Sequence, residues 1–354
     1  MKTLIAALSA VVMTAALGGE VLADTKYFPN TPSTARVTYT NGCTAAPIWI
    51  AWQVTTASVQ EKKTGTAVYQ HLDMPAATLV QPGKSITHDI PDSGLIGYRA
   101  WPAFNCKPNA AGDTPAEGWF DCEIGGSGGL SQVNGPAPGC AAPGCAPAVD
   151  SLFEGTFGCR ASDPSSCIPN PSAAYDKNGN RPRISDQDYF DASNVDGWTL
   201  PYKVEIDAQN CAKAPPKNVV DCSGLLLSSC TTEDLSAVDS SLTSVNLTLK
   251  NPNTGKIAGC YSPCSKLSTD NWGNTDYAAS ASTGPKVVPF CCPAGTPKSE
   301  CAAAVGKTNY VTKVPTMCSP AYTWAYDDQN GLFQCDAKTS SYTVTFNCPA
   351  VALD

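Results

Sequence analysis

Three stretches of the chain alternate polar and hydrophobic residues one by one: Arg36-Val37-Thr38-Tyr39-Thr40, Tyr202-Lys203-Val204-Glu205-Ile206 and Ser341-Tyr342-Thr343-Val344-Thr345-Phe346. A period of two sends successive side chains to opposite faces of an extended segment, so each stretch predicts a half-buried strand of an antiparallel sheet. Long helical patterns have little room, because 29 prolines and 28 glycines punctuate the whole sequence. Segments between these breakers predict short strands or loops. No solenoid-type repeat is visible.

The composition shifts twice along the chain. From Cys106 to about Val149 it turns to Gly, Pro, Ala and Cys, with Gly-Gly-Ser-Gly-Gly at 125–129, which cannot supply a packed core. A second excursion is rich in Ser, Thr and Cys, carries Leu225-Leu226-Leu227, and is expected to hold the few short helices. The expected organisation is a β-rich core domain of residues 24–105, 150–222 and 319–354, a small Gly/Pro/Cys-rich region at 106–149, and a disulfide-rich lobe at 223–318.

The N-terminus reads as a leader at 1–23: Met1-Lys2, an apolar run from Leu4 to Leu17, then Val21-Leu22-Ala23 before Asp24. That apolar run is too short to span a bilayer, and no later stretch approaches the required length. The expectation is a secreted protein, extracellular or in the cell wall, with no stable membrane anchor. Export places the 18 cysteines in an oxidising compartment, and only two histidines, His71 and His88, accompany them. Disulfides are therefore expected instead of zinc, all the more because no paired C-x-x-C repeat occurs, and neither metal nor cofactor is expected.

Charge narrows the partners. The chain carries only 15% charged residues with a formal net charge of −8, a surface that repels phosphate backbones, so nucleic acid is excluded. At 42% hydrophobic, the residues after the leader suffice for one sizeable core or two lobes, and a monomer is expected. No Gly-x-Ser-x-Gly elbow occurs and neither histidine has a nucleophile setting, which argues against a Ser-His-Asp hydrolase. Residues 125–129 are no phosphate loop, since no Lys-Ser/Thr follows them.

Three segments carry a resemblance: Ala35-Arg36-Val37-Thr38-Tyr39-Thr40-Asn41-Gly42-Cys43, Asp188-Tyr189-Phe190-Asp191-Ala192-Ser193-Asn194-Val195-Asp196-Gly197-Trp198, and Tyr342-Thr343-Val344-Thr345-Phe346-Asn347-Cys348-Pro349. In that order, and with Cys222 and Cys230 eight apart, Cys260-x-x-x-Cys264, the adjacent Cys291-Cys292, and Cys318 before Ser-Pro-Ala-Tyr-Thr-Trp, they resemble the thaumatin-like family of osmotin and pathogenesis-related 5 type. The resemblance implies a mainly β fold: an antiparallel β-sandwich, a disulfide-rich second lobe, and a small cysteine-pinned third region. A cleft is implied between the first two. It also implies the bridges Cys43–Cys348, Cys106–Cys122, Cys211–Cys335, Cys222–Cys318, Cys230–Cys260, Cys264–Cys291 and Cys292–Cys301. The chain departs from the family at Cys122-Glu-Ile-Gly-Gly-Ser127, where a second cysteine is missing; Cys140 with Cys145, and Cys159 with Cys167, are expected as local pairs.

Family members line their cleft with one arginine and four carboxylates. Matched position by position, these fall here on Arg99, Glu154, Asp191 and Asp196, with the fifth in Asp327-Asp328, where Asp328 matches by count from Cys318. Carboxylates crowded around one arginine cannot ionise independently, which is how a site obtains both the acid and the base that glycoside hydrolysis needs. The implied catalytic set is Glu154 as acid with Asp191 or Asp196 as partner. The implied function is binding, and slow hydrolysis, of cell-wall β-1,3-glucan. Alternatives are a defence protein acting by membrane perturbation or hydrolase inhibition, and a structural wall component. Aspartates in a turn-prone segment also commonly cap backbone N–H groups, and the nearby Trp101, Phe190, Trp198, Tyr322 and Trp324 are residue types of cores. Asn246-Leu247-Thr248 fits an N-glycosylation acceptor.

Overall fold

A computed structural model describes residues 26–27, 32–54, 59–60, 67–69, 72, 77–108, 120–125, 149–251, 254–268, 284–293 and 295–348. The leader at 1–23, most of the region at 106–149, and the expected Cys140–Cys145 pair lie outside the described residues.

Two sheets form the main body. Their strands, in chain order, are β1 (Ser33–Asn41), β2 (Ile48–Gln53), β3 (Ala77–Val80), β4 (Ser85–Pro91), β5 (Leu95–Pro108), β6 (Phe120–Ile124), β7 (Leu152–Phe157), β8 (Gln187–Ser193), β9 (Tyr202–Asp207), β10 (Cys211–Lys213), β11 (Val219–Cys222), β12 (Phe333–Asp336) and β13 (Ser341–Phe346). The larger sheet runs β10-β12-β8-β7-β5-β2-β3, with β6 added on β5; the smaller runs β11-β9-β13-β1-β4. All three alternating segments lie in the smaller sheet, as parts of β1, β9 and β13. The first and last strands of the main body, far apart in sequence, meet there, since β1 pairs with β13 in parallel, Val37 opposite Tyr342.

Aromatic rings fill the space between the sheets. Tyr342 of β13 packs on Phe153 of β7 and Phe190 of β8 at centroid distances of 5.6 and 4.6 Å, and all three are buried. Full burial of one such ring is worth roughly 1.5–3 kcal/mol. Two polar networks cross the same core. Arg36 of β1 forms an ion pair with Asp188 of β8, whose second carboxyl oxygen accepts the Tyr342 hydroxyl at 2.8 Å. Tyr98 of β5 is bonded at 2.8 Å to Tyr39 of β1 and at 2.6 Å to His88 of β4. Burial lowers the His88 pKa to about 3, so this imidazole is neutral.

Short strands and helices build the lobe beside the sandwich. The helices are α1 (Pro263–Ser268), α2 (Val288–Cys291), α3 (Lys298–Val305), α4 (Asn309–Met317) and α5 (Asp328–Gly331). The first four fall in the Ser/Thr/Cys-rich stretch. The fifth falls outside it, against the cleft. Strand Ile257–Tyr261 pairs with Gly197–Trp198, an approach only glycine permits: Gly197 has φ +131°, and a Cβ there would lie 2.2 Å from the Cys260 carbonyl oxygen. Glu233 accepts from the Asn309 and Tyr310 amides at 2.6 Å each, supplying the first turn of α4 with acceptors. Among the described residues eight disulfides are present: Cys43–Cys348, Cys106–Cys122, Cys159–Cys167, Cys211–Cys335, Cys222–Cys318, Cys230–Cys260, Cys264–Cys291 and Cys292–Cys301. These are the seven pairs the resemblance implies, together with the expected additional loop. No helix among the described residues is long and apolar enough to cross a membrane.

Candidate functional site

Strand register assembles the site. In the larger sheet Glu154 of β7 stands directly opposite Arg99 of β5 on one side and Asp191 of β8 on the other. Directly opposed residues share a face, with Cβ atoms about 4.5–5.5 Å apart, so the three form one charged row on the outer face. A parallel row lies beside it: Thr156 opposite Tyr189, then Gln334 of β12 and Lys213 of β10. The alternation along β8 explains the division: Asp188 and Phe190 point into the core, while Tyr189 and Asp191 are half-buried on the outside.

These rows floor a cleft of about 580 Å³, part of it continuous with solvent. Its lining includes Arg99, Glu154, Thr156, Tyr189 and Asp191 from the sheet, and Val195, Tyr322, Ala325 and Asp328 from the opposite wall. Asp328 arrives there because α5 is held at both ends. Lys213 Nζ donates to the Asp328 and Gln329 carbonyl oxygens at 2.8 Å each, and Gly331 lets the Tyr322 amide approach where a Cβ would clash at 2.6 Å. The Tyr322 hydroxyl then donates to Asp328 Oδ1 at 2.7 Å.

The carboxyls occupy unequal electrostatic settings. Glu154 Oε1 lies 3.5 Å from Arg99 Nε as an ion pair. Asp191 has a buried oxygen, Oδ1, with no hydrogen-bond partner. Its carboxyl is held well above the ordinary range, first by loss of water and then by the negative charge of Glu154, with Arg99 opposing. Asp196 is raised to about 6, again chiefly by loss of water.

Of the sequence-derived candidates, the structure brings Arg99, Glu154, Asp191 and Asp328 together in the cleft wall. Asp196 sits apart from that lining; its carbonyl accepts from Ser265 Oγ at 2.6 Å at the start of α1, although its carboxyl still feels Arg99 and Glu154. Asp327 is buried and turned into its own loop, accepting from Thr323 Oγ1 at 2.9 Å and Asn330 Nδ2 at 2.7 Å. It belongs to the support of α5, not to the cleft surface. The settings of the two expected partners differ: Glu154 is ion-paired with Arg99, whereas the Asp191 carboxyl is pushed upward by burial and by Glu154. Trp101, Phe190 and Trp198 are core residues; Tyr322 reaches the cleft. Sequence reading missed Tyr189 and Lys213. The alternation in β8 was a signal for the first, whereas nothing local marks the second. Among the described residues no group of three His, Cys, Asp or Glu stands in a metal-holding arrangement.

A disulfide-stapled β-sandwich with a lobe at its side and an arginine-anchored acidic cleft defines the class of protein. The Thaumatin family profile matches residues 41–349, and the chain belongs to that family. It is 29% identical over 170 residues to a glucan endo-1,3-beta-glucosidase of Prunus avium, covering 48% of this chain and 53% of that one. It is 29% identical over 163 residues to thaumatin-like protein 2 of Prunus persica, covering 46% and 50%. A thaumatin-like protein of Actinidia deliciosa is 24% identical over 259 residues, covering 73% and 74%. The chain thus spans about half the length of the two Prunus relatives. A solved thaumatin-like xylanase inhibitor aligns with a TM-score of 0.31 and 13% identity, covering 89% of this chain and 100% of its own.

Proposed function

We propose that this is a secreted protein that binds β-1,3-glucan in the acidic cleft and hydrolyses it slowly. The observation that carries the reading is the cross-strand row Arg99–Glu154–Asp191, faced by Asp328. Carboxylates and the guanidinium bond sugar hydroxyls, and the half-buried Tyr189 offers a ring face beside them. In the chemical step Asp191, which keeps its proton, protonates the departing glycosidic oxygen, while the Glu154 carboxylate faces the anomeric carbon. The short spacing of directly opposed side chains leaves little room for a water between carboxylate and sugar, which fits attack by Glu154 itself and retention of configuration. The glucanase named among the relatives supports the choice of substrate.

The test is reducing-sugar release from laminarin, together with retention on insoluble β-1,3-glucan, for wild type, Glu154→Gln and Asp191→Asn. Retention of the wild type, with release lost in both variants, is expected. Equal release by all three sinks the catalytic part, and failure of the wild type to be retained sinks the binding part. Growth inhibition of a fungus unaffected by either substitution would favour a defence role outside the cleft.

A further inference from the structure

The charged row continues past the cleft. Arg99 of β5 is itself directly opposite Gln53, the last residue of β2. Gln53 is half-buried and occupies the same face as Arg99, Glu154 and Asp191, yet it lies beyond the residues that line the cleft. Neighbouring strands are 4.7–4.9 Å apart, so four residues on four adjacent strands span roughly 14 Å at right angles to the strand direction. That is a track, longer than the cleft floor, on which every position presents a hydrogen-bonding head.

We propose that Gln53 is a binding residue for the polysaccharide, forming a distal subsite that a glucan reaches by running across the strands, out of the cleft past Arg99. The inference rests on the glucan reading of the cleft and adds its direction and its length requirement. The side-chain amide suits this position because it offers both donors and an acceptor, matching a pair of adjacent sugar hydroxyls. Being neutral, it leaves the charges that set the Asp191 proton undisturbed. A short oligosaccharide filling the acidic cleft would not touch it. A longer chain would.

The experiment measures affinity of wild type, Gln53→Ala and Gln53→Glu for laminari-oligosaccharides from the disaccharide upward, and for laminarin. Removing the amide should leave the shortest ligands unaffected and weaken the longer ones by about 3- to 10-fold, the worth of one net hydrogen bond. The melting temperature of each variant, unchanged from wild type, shows that folding is intact. Wild-type binding that gains nothing in length dependence over Gln53→Ala overturns the subsite alone, as does an equal loss at every length. A wild type that binds no glucan overturns the cleft reading and the subsite with it.

Discussion

Glu154 and Asp191 face each other across adjacent strands, and Arg99, opposite Glu154 on its other side, pairs with only one of them. The asymmetry follows from the register: Arg99 is one strand away from Glu154 and two from Asp191. Glu154 therefore takes the guanidinium within 3.5 Å, while Asp191 receives the repulsion of Glu154 and only a weaker compensation from the same arginine. A single cation placed at one end of the three charged residues, instead of between the carboxyls, gives two chemically similar groups unequal electrostatic settings.

The pH dependence of glucan release should expose this division. Asp191 acts in its protonated form, so release falls as pH rises through its raised titration, and the alkaline limb of the profile belongs to that residue. Asp191→Asn should lower the rate by about 10²–10⁴-fold, the usual range for a lost general acid. Laminarin hydrolysis followed across pH checks both, and an alkaline limb that survives in Asp191→Asn would remove Asp191 from the role.

Stability should carry a separate pH signature from Asp196. Its carboxyl is raised from 3.8 to about 6 in the folded protein, so between those values the folded state binds more protons than the unfolded one. Its contribution is complete below about pH 4 and is lost as pH rises through 6. Partial exposure trims the effect to on the order of 1–2 kcal/mol. Asp196→Asn should flatten that part of a melting-temperature profile between pH 4 and 7 and leave it steeper in the wild type.

How much of this was visible in the chain differs from residue to residue. The alternation of β9 and β13 was plain, because both strands have one face on the core and one outside. The fourteen-residue strand β5 was obscured, since Gly97, Pro102 and Asn105 look like breakers; Pro102 nevertheless sits opposite Ile50, and Asn105 adopts φ 50° within the strand. Arg36 was misleading in a different way. Strict alternation puts it opposite in direction to Val37, but the register with β4 shifts between Ala35 and Val37, and both Arg36 and Val37 are buried. Positions of Arg99, Glu154 and Asp191 were legible by resemblance. Which of the two carboxyls Arg99 pairs with was not, because it depends on which strand lies next to which.

Asp327 and Asp328 are neighbours that sequence could not separate, and they should separate cleanly in experiment. Asp328→Asn alters a carboxyl in the cleft wall and should weaken retention on glucan with little change in melting temperature. Asp327→Ala removes the acceptor for Thr323 and Asn330 and should cost about 1–3 kcal/mol, by leaving the buried Thr323 hydroxyl unsatisfied. Thermal melts and glucan retention on the two variants, run side by side, decide the matter. Loss of retention in Asp327→Ala at unchanged stability would place Asp327 in the binding surface after all.

The Arg36–Asp188 pair should be the most sensitive polar contact of the sandwich. Both side chains are completely buried, and they join the two sheets, with Asp188 also accepting from the Gly158 amide and the Tyr342 hydroxyl at 2.8 Å each. Arg36 Nε has no partner, and although Nη1 donates to the Gly158 carbonyl at 3.2 Å and the guanidinium lies 4.9 Å over the Phe157 ring, Asp188 supplies its ion-pair partner. Replacing Asp188 with alanine strands a buried cation, and replacing Arg36 with alanine strands a buried anion. Either change should cost about 3–5 kcal/mol. The double substitution Arg36→Met with Asp188→Leu removes both charges together and should cost less than either single change, because desolvation of the two ions disappears with their attraction. Denaturant unfolding with the disulfides intact measures all three. Additive losses in the double variant would mean that the two charges act independently, against the contact that joins the sheets.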